Sequence, residues 1–439
     1  MNKNVKLLGM TAMLSITFAA CSNDELVESY QGEGISFTTQ VRTRANVTNL
    51  NNLKAFRVYA DADKYNTMFI NGDVAKKENN TNKYILKNKN EESYFWPSNV
   101  NTIRFWAYGP AGNDNKDEDI DIEPKITAQN QTFGDYTPTS NLEKGGESHK
   151  DLVVAYTEAT RTGVTGMNVE LKFNHALSQI AIKAKCGPGR YVDIKGAWLM
   201  NVYGSGQLSF DNTKVTQDEK EVFKYKNCMR WDYDTKPKAN YGVFFKEEVS
   251  LNQGYASLIK EQTTEQISEQ TSSSSLMLIP QKAEALNNTA TSDGAYILLL
   301  CRVEVEHPGA EHLEGDEDKP ATSNATHKHQ LFPANDTVDE TQYGYTCVPI
   351  TPDWQPGVTY IYNLEFCGAN SGAGIYPPDG VENTNGLPKS ETGVLTIVKR
   401  PTGKNPGDLV LDYPISFKVS VEEWESAKED ESKPNTPMS

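Results

Sequence analysis

Between Val358 and Phe366 every second side chain is apolar, with Val358, Tyr360, Tyr362, Leu364 and Phe366 alternating over nine residues. Successive side chains of an extended chain point to opposite faces, so this run has one wholly apolar face and fits a strand rather than a helix. Shorter runs of the same kind recur, and no long stretch repeats its apolar residues with the helical period of about 3.6. Tyr, Phe, Thr and Val, which suit a pleated and half-buried surface, are plentiful. An all-β protein is therefore expected.

In the first half the strand-like pieces are 53–60 (LKAFRVYA), 94–97 (YFWP), 102–108 (TIRFWAY) and 151–157 (DLVVAYT), separated by segments rich in Asn, Asp, Gly and Pro. Ile103, Phe105 and Ala107 share an apolar face, while Arg104, Trp106 and Tyr108 point the other way, so these aromatics are expected to cover an open sheet face. Thr and Gly accumulate over 161–166, which sets the expected boundary between a domain at 35–164 and a second at 165–424, ahead of a flexible acidic tail at 425–439. A chain of 439 residues has room for both cores. The second part continues with strand candidates at 192–201, 276–281, 295–305 and 358–366 and a Gly-Ser-Gly turn at 204–206. A Gly-, Asn- and Pro-rich segment at 367–390 reads as a flexible excursion before the last candidates, 394–398 and 415–421.

The start of the chain sets the compartment. Lys3 and Lys6 precede an apolar run, 7–20, that is too short to span a bilayer and reads as a secretory signal over 1–20. Phe18-Ala19-Ala20-Cys21 places small residues before a cysteine in the manner of a bacterial lipobox, which makes Cys21 the expected lipid attachment site, followed by a linker over 21–34. Beyond it Ile35, Phe37, Thr39 and Val41 alternate with Ser36, Thr38, Gln40 and Arg42, the pattern of a half-buried strand. Arg42 and Arg44 stand directly behind, among small residues, where an arginine-specific protease can reach the chain. The strand carrying Ile35, Phe37 and Val41 is thus expected to be removable. At the far end Ile415, Phe417, Val419 and Val421 repeat its apolar spacing and form a candidate donor strand for the same kind of groove. A permanent place for 415–421 in the second domain is the open alternative.

These pieces, in this order, resemble the fimbrillin family of Bacteroidetes cell-surface pilins. The likeness is carried by the pair Arg44-Ala45, the Phe56-Arg57-Val58 strand, Tyr94-Phe95-Trp96-Pro97, Phe105-Trp106-Ala107-Tyr108, the Leu171-x-Phe173-x-His175-x-Leu177-Ser178-x-Ile180 segment expected to open the second domain, and Leu278-Ile279-Pro280-Gln281. Ser22-Asn23-Asp24-Glu25 is similar to the acidic signal that sends Bacteroidetes lipoproteins to the outer face of the outer membrane. The resemblance implies two tandem transthyretin-like β-sandwich domains, export as a lipoprotein, cleavage after an arginine, and polymerisation with other pilin subunits into a fimbria by donor-strand exchange. It also implies adhesion to host or bacterial surface ligands. The second reading is a lipid-anchored outer-membrane protein that binds surface glycans, for which the same compartment, acidic charge and aromatics would serve.

Little in the sequence suggests chemistry. The formal net charge of −16 argues against a nucleic-acid partner, because a phosphate backbone would be repelled over most of the surface. There is no G-x-S-x-G, P-loop, H-E-x-x-H or G-x-G-x-x-G opening a helix, so the chain is not read as an enzyme and no cofactor is expected. Asp117, Asp119 and Asp121 mimic the start of a calcium loop, but Ile122 replaces its turn glycine and Ala128 its bidentate glutamate. Cys186, Cys228, Cys301, Cys347 and Cys367 form neither a C-x-x-C pair nor an even set, and Cys301, ending an apolar run, reads as a small buried hydrophobe. His175 reads as a structural histidine. His327 and His329 would share a strand face, yet they sit in a polar linker with no evident third ligand, so no metal is expected.

Overall fold

The structure, a computed structural model, describes residues 34–41, 53–79, 81–112, 120–139, 150–164, 167–217, 220–224, 228–259, 275–287, 294–308, 326–335 and 337–423. Cys21, Arg42, Arg44, Asp117, Asp119 and the C-terminal tail lie outside the described residues. The first strands are β1 (Ser36–Val41), β2 (Ala55–Ala62), β3 (Ile70–Lys77), β4 (Lys83–Leu86), β5 (Thr102–Gly109), β6 (Pro124–Ile126), β7 (Gln131–Tyr136), β8 (Val153–Thr160) and β9 (Asn168–His175). Next come β10 (Ser178–Cys186), β11 (Arg190–Tyr203), β12 (Gly206–Phe210), β13 (Lys214–Gln217), β14 (Lys220–Phe223), β15 (Met229–Asp232), β16 (Lys238–Leu251), β17 (Ala256–Ser257) and β18 (Leu276–Leu278). The last are β19 (Tyr296–Pro308), β20 (Thr326–Phe332), β21 (Gln342–Pro349), β22 (Val358–Phe366), β23 (Thr396–Val398) and β24 (Ser416–Glu423). The fold is all-β, as the alternation requires; the 382 region adds one turn of 3-10 helix at Val381–Asn383.

Where a first sandwich was expected, seven strands close on themselves as a barrel in the order β1-β4-β3-β2-β5-β8-β9. Closure leaves no free edge, and the interior fills with the inward residues of each strand. Phe37, Phe56, Trp96, Phe105 and Phe173 are buried there, with Phe37 edge-on to Phe56 and Phe105 at centroid distances of 6.0 and 5.7 Å. Two sequence expectations change here. Tyr94–Pro97 is not a strand, and Trp96 enters the core from an irregular segment whose indole donates to the Val100 carbonyl at 2.8 Å. The segment from Val169 to Ile182 is not a strand pair opening a second domain: β9 completes the barrel and β10 starts another sheet. The break drawn at 164/165 therefore falls among the barrel's own strands, and the chain leaves the barrel at Ala176–Leu177.

Two facing sheets follow, β17-β10-β22-β24 with β18 beside β10, and β16-β11-β19-β21-β23 with β20 beside β19. Between them lies the largest apolar cluster, which includes Ile182, Ile194, Leu299, Trp354, Tyr362 and Phe366. The second sheet is buried on both sides. Trp198, Tyr296, Leu298 and Leu300 face outward from it and are covered by Ile375, Val381, Leu387 and Leu395. This explains why 296–301 reads as an unbroken apolar run, since a strand buried on both faces has no polar side to show. It also corrects the flexible excursion expected at 367–390, which is a packed cover.

A four-stranded sheet, β15-β12-β7-β6, joins the two bodies, because β7 lies in the chain between the barrel strands β5 and β8, and β12 follows β11 of the sandwich. Its cluster takes in Trp106, Tyr108, Phe133, Leu177, Leu208 and Ile279, and the Tyr108 and Phe133 rings meet at 5.2 Å. Trp106 and Tyr108 are therefore buried rather than spread over an open face.

Candidate functional site

The first and last strands are the places where sequence and structure together single out a surface. β1 lies parallel to β9 over six residues, from Ser36 opposite Asn168 to Val41 opposite Phe173, and antiparallel to β4 over three. It is the seam of the barrel. Its inward Ile35 and Phe37 are buried, while its other face is held by Asn168, whose Nδ2 donates to Thr38 Oγ1 at 2.9 Å. Loss of β1 would leave β4 and β9 as two unpaired edges flanking the aromatic site that Phe37 fills.

β24 has the opposite character. Among the described residues it pairs with β22 alone, in register from Val358 opposite Glu423 to Glu365 opposite Ser416, so no described strand takes up the backbone groups of its outer edge. Phe417, Val419 and Val421 stand opposite Leu364, Tyr362 and Tyr360, on the inward side of the sheet. Their partners are buried, yet these three side chains are 37, 40 and 60% exposed. Ile415, just ahead of the strand, is 4% exposed and belongs to the core. The facing sheet thus stops short of β24, and a row of apolar side chains overhangs the end of the sandwich. Together with the open edge, it is the kind of strand that another chain can pair with.

His175 Nδ1 lies 2.8 Å from Asp151 Oδ2, both buried, at the point where the chain leaves the barrel. His327 and His329 lie on β20, not in a linker, and their Nε2 atoms are 2.8 Å apart. None of the five described cysteines is in a disulfide. Burial pushes the Cys186 thiol up to about 12 and that of Cys367 to about 11, and holds Cys301 and Cys347 well above the ordinary range. Only the thiolate reacts. At pH 8 a thiol reagent is expected to leave Cys301 and Cys347 untouched in the native protein and to label both in denaturant, read by mass spectrometry; native labelling of Cys301 would mean that the sandwich opens.

Sequence reading missed a buried charge cluster on β19. The Arg302 guanidinium donates to Glu304 Oε1 and Asp193 Oδ2, both at 2.7 Å, and lies 5.1 Å from the Tyr343 ring, while Lys328 Nζ reaches Glu304 Oε2 at 3.1 Å. The only local signal was charge at alternate positions in an otherwise apolar strand. Its partners come from three other strands.

The structure defines an all-β class of protein, with a barrel and a sandwich joined by a shared sheet, whose distinguishing features are strand edges. Among the described residues no helix is long and apolar enough to cross a membrane. The chain belongs to the fimbrillin-like family, whose model matches residues 43–375. β1 and β24 lie outside the matched span. No curated protein matches the chain. Similar solved structures include candidate cell adhesion proteins of Bacteroides ovatus ATCC 8483 (12% identity, 77% of this chain and 94% of the other covered, TM-score 0.37) and Bacteroides eggerthii DSM 20697 (10%, 91% and 98%, TM-score 0.39). Another is from Parabacteroides distasonis ATCC 8503, at 9% identity, 91% and 99% coverage and a TM-score of 0.40.

Proposed function

We propose that the protein is a structural subunit of a cell-surface fimbria, anchored as a lipoprotein through Cys21, trimmed behind Arg44 or Arg42, and polymerised by donor-strand exchange with β24 as the donor. Family membership supports a pilus or adhesin subunit at the cell surface. The observation that carries the finer reading is β24: an edge strand with Phe417, Val419 and Val421 half exposed on the inward side of its sheet. Ile415, Phe417, Val419 and Val421 have the spacing of Ile35, Phe37, Thr39 and Val41, so a donor can set a phenylalanine where Phe37 sits. Among the described residues of its own subunit β24 pairs on one side only, whereas a strand between β4 and β9 pairs on both. Exchange therefore adds a second ladder and covers three exposed side chains, which offsets the ladder lost from β22.

Removal of residues 416–439 tests this directly. Ile415 and the sandwich core stay in place, so the shortened protein is expected to fold and to melt cooperatively, but to form no oligomers after arginine-specific digestion. Unimpaired assembly of the shortened protein would refute β24 as donor. Failure to fold would make it a permanent part of the sandwich.

A further inference from the structure

Three of the six histidines in the chain, His307, His327 and His329, stand on the two strands of one hairpin, β19 and β20. His327 and His329 are two apart on β20, which puts both side chains on one face. Both are half exposed, and His307 is the register partner of His327 across the ladder. The two Nε2 atoms lie 2.8 Å apart, and the ring centroids 4.6 Å, with the ring planes at 71°. Rings pointing head-on at each other would have their centroids about 5 Å apart, so the two rings are tilted off the line between the nitrogens.

The separation of the two nitrogens matches the bite of a chelate. An ion about 2.0–2.1 Å from each nitrogen, the usual distance for a histidine ligand, would see the two nitrogens at an angle of roughly 90°. A tetrahedral ion needs them about 3.3 Å apart, half an ångström more than they are. Adjacent positions of a square-planar or octahedral ion need about 2.9 Å. Imidazole ligands in tetragonal geometry are the preference of copper(II) and nickel(II). We infer that His327 and His329 form a chelating site for a tetragonal divalent transition-metal ion, copper(II) or nickel(II), on the β19–β20 hairpin. The site is separate from β1 and β24, so it does not depend on the assembly reading. Among the described residues no group of three or more ligating side chains is assembled, so the pair supplies two positions and leaves the others for water or a further ligand.

Neutral imidazole binds the ion, and a ring nitrogen that now donates to its neighbour gives up that contact to the metal. The test uses the untagged full chain. Titration with copper(II) against a competing chromophoric chelator is expected to show one tight site, and the electron paramagnetic resonance spectrum of the copper form to show axial symmetry with two coupled ring nitrogens. His327→Ala and His329→Ala should each weaken binding at least tenfold, and the double variant should abolish the two-nitrogen signature. Circular dichroism of the metal-free variants establishes that they fold. A double variant that binds copper as the parent does would overturn the assignment, as would a parent spectrum without ring-nitrogen coupling, which can be recorded even if a variant fails to fold. Zinc(II) bound more tightly than copper(II) at the same histidines would overturn the tetragonal geometry.

Discussion

Limited digestion of the purified precursor with an arginine-specific protease is expected to give a new N-terminus at Ala45, or at Thr43, and ladders of oligomers that lengthen with time. The reason lies in the seam of the barrel. While β1 is covalently attached, it covers the edges of β4 and β9 and places Ile35 and Phe37 in the core. Burial of two such side chains contributes about 3–6 kcal/mol, an upper figure, before ordering is counted. Once cut, β1 is a separate peptide, and its loss by dilution leaves two open edges beside an aromatic pocket lined by Phe56 and Phe105. A neighbour's strand then fills the vacancy, and the exchange need not be strongly downhill because the freed peptide does not return. Arg42→Ala combined with Arg44→Ala should remain monomeric under the same protease. Should that variant assemble as readily as the parent, strand removal is not the trigger.

The second large effect is expected at Arg302. Replacement by Met keeps most of the side-chain volume but leaves Glu304 and Asp193 without the cation that both accept from, in a cluster where Arg302 and Glu304 are each under 5% exposed. Breaking a buried pair from one side typically costs about 3–5 kcal/mol. The lower end applies here, because Glu304 keeps Lys328 and Asp193 still accepts from the Ser250 hydroxyl at 2.6 Å. Urea denaturation of Arg302→Met should show this loss. The triple variant Arg302→Met, Glu304→Leu, Asp193→Asn should recover most of it, since no buried charge is then left unpaired. A loss under about 1 kcal/mol in the single variant would show that water reaches the cluster and screens it.

Local pattern alone was enough to place most of the apolar strands. β22 spans the nine alternating residues from which the all-β expectation starts, and β5, β11, β19 and β24 fall within a few residues of their expected positions. The burial of Cys301 was equally legible, because it ends an unbroken apolar run. Strands with mixed faces were not legible. β3 (INGDVAKK) and β20 (THKHQLF) carry too few apolar residues to show a period, and they are strands because their backbones complete ladders begun elsewhere. What a strand's second face meets is likewise set at a distance. Trp106 and Tyr108 alternate correctly on β5, but whether that face is open or covered depends on β6, β7, β12 and β15, three of which are short and two of which follow the sandwich strand β11 in the chain. The same holds for the cover that 375–395 lays over Leu298 and Leu300. The barrel itself depends on the parallel pairing of β1 with β9, residues 130 or more positions apart, as in the contact of Thr38 with Asn168. Side-chain periodicity records which way each residue points along one strand. It holds no information about which strand lies alongside, and that choice, made by the packing of the whole chain, decides that β1 is a seam and β24 an open edge.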